Sequence, residues 1–560
     1  MDSSRFIYLI ILALIIIAGI VISINTVVGP NYFIDFWDDY YYVFFSNYIS
    51  QYGFQNISIA NFDTEYILVG IPSIIYKLFG VSSITEGAYS MLCLAGTLIT
   101  VFFIGKLLHN ELAGLMSSLT LIFIPLVSAE GATSGDNIAV AFFVSLSVLL
   151  FLIGVKSDKA KYYACSGFIG FIGILGSSPL ELLVFIFLVP YLIYLLVKKS
   201  SKRQNLNTFA FFIGILIAAL LTLFLGYILH SNPLMYFITN YHNVNYPTSN
   251  TPSFYNYISI LFPFEFIWGM SNLLFSPIVL TPPNLVNINL IGFFGYAMLL
   301  SILYLLLKKR CKDSLIPLLW FVLIFVYLSF GTDSLSGGFM GFAERFAIIL
   351  MPALSLVIGI ALSIVIEEAF RPKKHKAHKR KNILNKTILI IAIFGYAFII
   401  INSFLLDEFV HAGNYAATYQ FQQIANNLLH LPKNSSIYIV SGLSSISGAE
   451  SNSAIEMYGL PNVSDFLLNQ EFLYWIAVES YASYKININY SSVFSTCNSL
   501  KGDYIVAINN SFYKNEVGMC KNVSLYYSPI PNASIINYVE SMGHSYFIFP
   551  KDEVVIYKEG

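Results

Sequence analysis

The segment NYFIDFWDDYYYVFFSNYISQYGF, residues 31–54, sets two adjacent carboxylates, Asp38 and Asp39, among aromatic side chains. Carboxylates in such surroundings lose hydration and become more basic, which suits a general base or a cation-binding acid. A hydrated loop with acids at a helix N-terminus would read the same way, and spacing alone weighs the two about evenly. A third aspartate, Asp136, stands in PLVSAEGATSGDNIAVAFF directly before an apolar run. Its plainer role is a helix cap, with Gly135 and Asn137 turning the chain into the helix, and the capping preference favours that role. Arg345, in GGFMGFAERFAIILMPALSL, opens another apolar run beside Glu344. It can snorkel, pair with Glu344, or bind an anion, for which a guanidinium offers two parallel donors.

The elements that must position these residues are membrane helices. The chain has 560 residues, 57% of them hydrophobic and 11% charged, with a mean hydropathy of +0.70, which excludes a set of soluble domains. Eleven apolar segments reach spanning length: 6–28, 88–105, 112–128, 137–155, 162–178, 180–197, 207–229, 288–307, 314–331, 345–366 and 387–405. The first is too long for a secretory signal and stays as a span. A further stretch, EYILVGIPSIIYKLFG at 65–80, is short and interrupted by Gly70 and Pro72.

Charge decides whether that stretch crosses. If it lies on the surface as an interfacial helix, 21 of the 23 Lys and Arg residues before position 405 share one face, the cytoplasmic one by the positive-inside rule. Only Lys77 and Arg345 then lie outside. The same map sends 12 of the 18 carboxylates of that region outward, among them Asp38, Asp39, Glu65, Glu86, Glu130, Asp136, Glu181 and Glu344. The outer face is therefore rich in acids and poor in cations, and an anionic substrate there has Arg345, Lys77, His230 and His242 to meet it. The charge pattern gives no indication of nucleic acid binding.

The expected architecture is an α-helical polytopic membrane domain over 1–405, with a first outer loop at 29–87 and another at 230–287. An outward α/β domain is expected over 406–560. In the latter, YQFQQIANNLLHLP has helical periodicity, SSIYIVSG and DYIVAIN read as short buried strands, and SYFIFP and EVVIYKE as a closing pair. Six N-x-S/T sequons fall in this region and add modest support for an outward position. Cys497 and Cys520, the two cysteines there, are expected to form a disulfide closing a loop of about 24 residues, worth roughly 3 kcal/mol by closure entropy.

The order of these features resembles a known family. An acidic pair and tyrosines after the first span, an interfacial segment ending KLFG, a span, a short basic turn, another span ending near a proline, then Asp136 and finally ERFAIILMPAL look like GT-C glycosyltransferases of the dolichyl-phosphate-mannose-protein mannosyltransferase type. The resemblance covers residues 6–366. It implies transfer of a sugar from a polyprenyl-phosphate carrier to a protein, lipid or glycan acceptor outside the cytoplasm, with inversion. It assigns Asp38 and Asp39 to the family's first-loop acidic pair, Asp136 to its second-loop aspartate and Arg345 to its late outer arginine. Glu65, Glu344, His242 and Lys77 join Arg345 as candidate substrate-binding residues.

An inverting displacement needs a base on one side of the anomeric carbon and a cation on the other. Asp38, first of the acidic pair, is the expected base, with Arg345 on the leaving phosphate. A divalent cation, Mg or Mn, shared by Asp38, Asp39 and Asp136 is compatible with their chemistry, although relatives of this type do not generally require one. The chain also departs from the family: Tyr66 and Ile67 stand where a proline pair usually opens the interfacial segment, and a lysine often found near 177–181 is missing, with Glu181 close by. Two other readings stay open. An oligosaccharyltransferase-like subunit would fit SGDNIAVAFF but lacks WWDYG, and a transporter or lipid-binding protein would need its acids nearer the bilayer midplane.

Overall fold

In the computed structural model the described residues are 3–26, parts of 42–54, 65–80, 83–133, 135–177, 179–198, 202–238, parts of 248–261, 291 and 293–331, 339–340, 344–370, 383, 385–404 and five strands between 436 and 559. The membrane region is built of helices because only an intrahelical ladder satisfies backbone polar groups in hydrocarbon. Among the described residues seven helices are long and apolar enough to cross a membrane. They are α1 (Ser3–Thr26), α3 (Ala88–Leu108), α6 (Asn137–Ser157), α8 (Val184–Lys198, with the preceding turn from Leu180), α9 (Lys202–His230), α12 (Met351–Phe370, with the preceding turn from Phe346) and α13 (Asn385–Phe404).

Shorter apolar helices complete the set: α2 (Tyr66–Phe79), α4 (Glu111–Ile122), α7 (Ala160–Ile172), α10 (Phe294–Leu307) and α11 (Cys311–Phe330). Apart from α2, every one of these twelve coincides with an expected span. The 112–128 span is broken, because α4 ends at Ile122 and a separate short helix, α5 (Pro125–Glu130), begins at Pro125. Proline fixes that boundary: it has no N–H to give, its ring clashes with the preceding turn, and it is well suited to the first helical position.

The helix opened by Arg345's segment is the centre of the bundle. From Phe346 onward it is buried nearly all round and belongs to one continuous apolar core with α3, α4, α6, α8, α10 and α11. Its apolar residues cover every face, as expected of a helix enclosed by others. Close approach is needed there: a Cβ on Gly359 would lie 2.4 Å from the backbone nitrogen of Ser117 in α4. By contrast α13 has almost no buried residues, and α1 and α9 have few, which leaves many of their apolar side chains for lipid. The chain is an integral membrane protein.

One end of the bundle collects the polar groups of the basic turns. Asn110 caps α4 through Ala113 N at 2.8 Å and bonds Glu367, which His109 also approaches at 3.5 Å. Lys106 pairs with Glu111 at 3.2 Å, Lys308 with Glu368, and Arg203 with Asp158 at 2.9 Å. Among the described residues Glu86, Glu130, Asp136 and Glu181 lie at the opposite ends of their helices.

The C-terminal strands form one five-stranded sheet in the order β4 (Asn487–Tyr490), β3 (Ser436–Ser441), β5 (Tyr504–Ile508), β7 (Val554–Glu559), β6 (Val523–Tyr527). β3 runs parallel to β4 and β5, while β7 is antiparallel to β5 and β6. The three expected strands SSIYIVSG, DYIVAIN and EVVIYKE are present. β4 and β6 were not expected, and SYFIFP, the helix at 419–432 and the boundary at 405 fall outside the described residues. A two-residue pairing, β1 (Thr248–Ser249) with β2 (Phe339–Met340), ties the 230–287 loop to the segment just before Arg345.

Candidate functional site

The turn between α5 and α6 is the best defined part of the site. Gly87 lies so close beneath it that an added Cβ would stand 2.2 Å from the carbonyl oxygen of Ala132. Ser90 donates to the Gly135 carbonyl at 3.1 Å, and Thr133 donates to the Glu130 carbonyl at 3.2 Å. These contacts fix the N-terminal end of α3 under the turn and present Asp136 at the mouth of α6.

Asp136 is buried, with 7% of its surface exposed, and occupies the cap position of α6. Its backbone is already helical there, and its side chain makes no capping hydrogen bond. The capping role that the sequence favoured is therefore not the one this carboxylate plays. Asp136 and Glu65, the latter at the start of α2, both act electrostatically on the Tyr89 hydroxyl. Tyr89 donates to the Gly176 carbonyl at 2.5 Å, which links α3 to the turn before α8. Two of the expected site carboxylates are thus brought to one tyrosine.

Glu130 closes the other side of the turn. It is completely enclosed, and its Oε2 accepts from Asn137 Nδ2 at 3.1 Å. Burial pushes its carboxyl up to about 8, the Asn137 bond opposing and the Asp136 charge adding to the rise.

Arg345 stands in a 3-10 turn, Glu344–Leu350, that packs against α5 and α6, the two helices flanking Asp136. The turn is anchored from behind by Trp320 of α11, whose indole N–H donates to the Ile349 carbonyl at 3.1 Å. The Trp320 ring lies parallel to Phe187, with centroids 5.6 Å apart. Phe346 to Leu350 are all buried, so the backbone that carries Arg345 is a fixed part of the core surface.

Near the start of α2, Tyr66 stacks on His230 at the end of α9, with centroids 5.7 Å apart, and meets Phe54 edge-on. Tyr236 donates to the Ile174 carbonyl at 3.2 Å beside them. Glu181 is fully buried at the start of the α8 span, packed on Gly173. Lys77 is exposed on the last turn of α2, about 18 Å of helix rise beyond Glu65, and is not brought to Tyr89.

Asp38, Asp39, His242, Cys497 and Cys520 lie outside the described residues. Tyr42, Val43, Phe45 and Ile49, which follow the acidic pair, are buried; all but Val43 belong to the main core. Among the described residues no group of three or more His, Cys, Asp or Glu side chains is arranged to hold a metal ion. Tyr89, Ser90 and Gly87 were not expected at the site. Their only sequence signal is a polar start to an apolar span, which many helix ends share.

Residues 71–227 match the profile of the dolichyl-phosphate-mannose-protein mannosyltransferase family. No curated protein sequence matches the chain at a significant level. Among solved structures it resembles ArnT from Cupriavidus metallidurans in the apo state, at 12% identity and a TM-score of 0.56 over 100% of this chain and 98% of that one. The same protein bound to undecaprenyl phosphate aligns at 13% identity and a TM-score of 0.54, over 99% and 98%. The archaeal oligosaccharyltransferase AglB from Archaeoglobus fulgidus, in complex with an inhibitory peptide and a dolichol-phosphate, aligns at 13% identity over 95% and 74%, with a TM-score of 0.48. The chain has the GT-C membrane fold, and its residues 71–227 carry the pattern of the dolichyl-phosphate-mannose-protein mannosyltransferases.

Proposed function

We propose that the chain is a membrane glycosyltransferase that moves a sugar from a polyprenyl-phosphate carrier to an acceptor on the outer face, inverting the anomeric centre. The observation that carries this reading is the packing of the Arg345 turn against the helices on either side of Asp136, in a fold shared with a protein seen bound to undecaprenyl phosphate. An arginine-bearing turn packed beside a carboxylate-bearing turn supplies the two residue types that displacement of a phosphate by a hydroxyl needs.

In this reading Asp38 accepts the proton of the acceptor hydroxyl while its oxygen attacks the anomeric carbon. The bond to the carrier phosphate breaks, and Arg345 holds the departing anion through paired N–H donors. The phosphate leaves as an anion, so no general acid is required. Asp39 and Asp136 shape the site, and Glu65 with Tyr89 forms its floor. Glu344, His242 and Lys77 serve substrate binding from the rim. The site opens on the extracytoplasmic side, the N-terminus and the 371–381 cluster face the cytoplasm, and residues 406–560 form the outer domain. The reading is tested by giving the protein, in lipid, a labelled polyprenyl-phosphate sugar together with membrane acceptors. Label should appear in an acceptor, and label that stays on every carrier tried argues against the reading.

A further inference from the structure

Glu130 is the most deeply enclosed carboxyl at the Asp136 turn, and the displacement just described does not use it. Its chain position is fixed by the turn itself: Glu130 ends α5, its carbonyl accepts from Thr133, and its Oε2 accepts from Asn137, the residue after Asp136. Oε1 is buried, and the Thr133 hydroxyl is the other polar group close to the carboxyl. The side chain is therefore a strut across the turn, joining the end of α5 to the start of α6 one residue beyond the Asp136 carboxylate.

Among the described groups Asp136 is the charge that acts on it. The helices packed nearby bring few others. α1 has no ionisable residue after Tyr8, α3 brings Tyr89 at its near end with Glu86 just before it, and the 344–350 turn carries Glu344 and Arg345. A proton on Oε1 leaves Oε2 free to accept from Asn137 and keeps a second negative charge away from Asp136.

We propose that Glu130 is a positioning residue for Asp136, acting through Asn137 as an uncharged carboxyl. This inference rests on the glycosyltransferase reading only where transfer is measured. Below about pH 7 Glu130 is protonated and Asp136 is the single anion of the turn. As pH rises through about 8, Glu130 ionises, the two carboxylates repel, and the turn that presents Asp136 loosens.

Glu130→Gln and Glu130→Ala, each in the full chain in lipid, provide the test. Glutamine keeps the acceptor for Asn137 and cannot ionise, so it should rescue the transfer that alanine loses. It should also remove the fall in turnover that the wild type shows as pH rises through about 8. Loss of transfer by a folded Glu130→Gln, or an identical alkaline limb in that variant and the wild type, would overturn the proposal. Unfolding followed against pH needs no donor and separates this inference from the enzymatic reading. A carboxyl raised in the fold stabilises fully below its unfolded value of about 4.5 and loses that contribution as pH rises to about 8. The wild type should therefore lose stability across that window, and Glu130→Gln should lack this component. The same slope in both proteins would also overturn the proposal.

Discussion

Trp320 donates its indole N–H to the carbonyl of Ile349 at 3.1 Å, four residues beyond Arg345. The turn that carries Arg345 is thus held by a residue of a different helix. Trp320→Phe would keep the stack on Phe187 and lose the donor, leaving a buried carbonyl unpaired at about 1–3 kcal/mol. Thermal unfolding in detergent should register that loss, and donor affinity should weaken with it. An unchanged midpoint and unchanged affinity would mean that the hydrogen bond does not hold the turn.

Asp136 separates a capping role from a catalytic-site role. Because its side chain makes no capping bond, Asp136→Asn should lower transfer without the loss of about 1 kcal/mol that removing a cap brings. The sequence favoured the opposite, since Ser-Gly-Asp-Asn before an apolar run is what a helix start looks like. A stability loss of about 1 kcal/mol with intact transfer would restore the cap.

Gly87 tests how closely the Asp136 turn must sit on α3. A methyl group there meets a backbone carbonyl, which cannot swing aside as a side chain can. Gly87→Ala should cost about 1–3 kcal/mol by overpacking and should lower transfer by displacing the turn. Unfolding and transfer measured on the same preparation check whether the two effects move together.

The sidedness rests on charge parity, and a cysteine pair checks it. In a background free of other exposed thiols, Ser82→Cys should label with an impermeant reagent in intact cells, and Ala377→Cys should not. The reverse pattern would turn the whole map over.

Much of the membrane fold was legible in the sequence because hydrocarbon imposes length and apolarity on every span. The basic turns then ordered the spans, since Lys106, Lys308 and Arg203 do meet Glu111, Glu368 and Asp158 at one end. The break at Pro125 was less legible: the apolar run continues through it, and only the proline interrupts the ladder. At the site, the residue types Asp136 and Arg345 stood out against an apolar background. Tyr89 and Glu130 did not, because a tyrosine or glutamate near a span end is ordinary until tertiary contacts enclose it. Strands β4 and β6 were missed because NINY and VSLYY carry Asn and Ser that read as loop, and pairing partners far along the chain decide their state.

The roles of the two walls predict different kinetic losses. Asp38→Asn should lower turnover by about 10² to 10⁴, the usual contribution of a general base, while donor binding holds. Arg345→Ala should weaken donor binding and turnover together, because the phosphate is charged in the ground state and more so as it leaves. Near-normal turnover in Asp38→Asn with loss in Asp39→Asn or Asp136→Asn would exchange the carboxylate roles.

The central claim is that the carrier's phosphate is released when its sugar is transferred, and free polyprenyl phosphate is the product to measure. The purified protein in lipid is presented with a panel of sugar-loaded polyprenyl phosphates and membrane acceptors, and the free carrier is quantified over time. Release from at least one donor, dependent on acceptor and reduced in Arg345→Ala, is the predicted result. No release from any donor, or release that Arg345→Ala leaves untouched, would contradict the account.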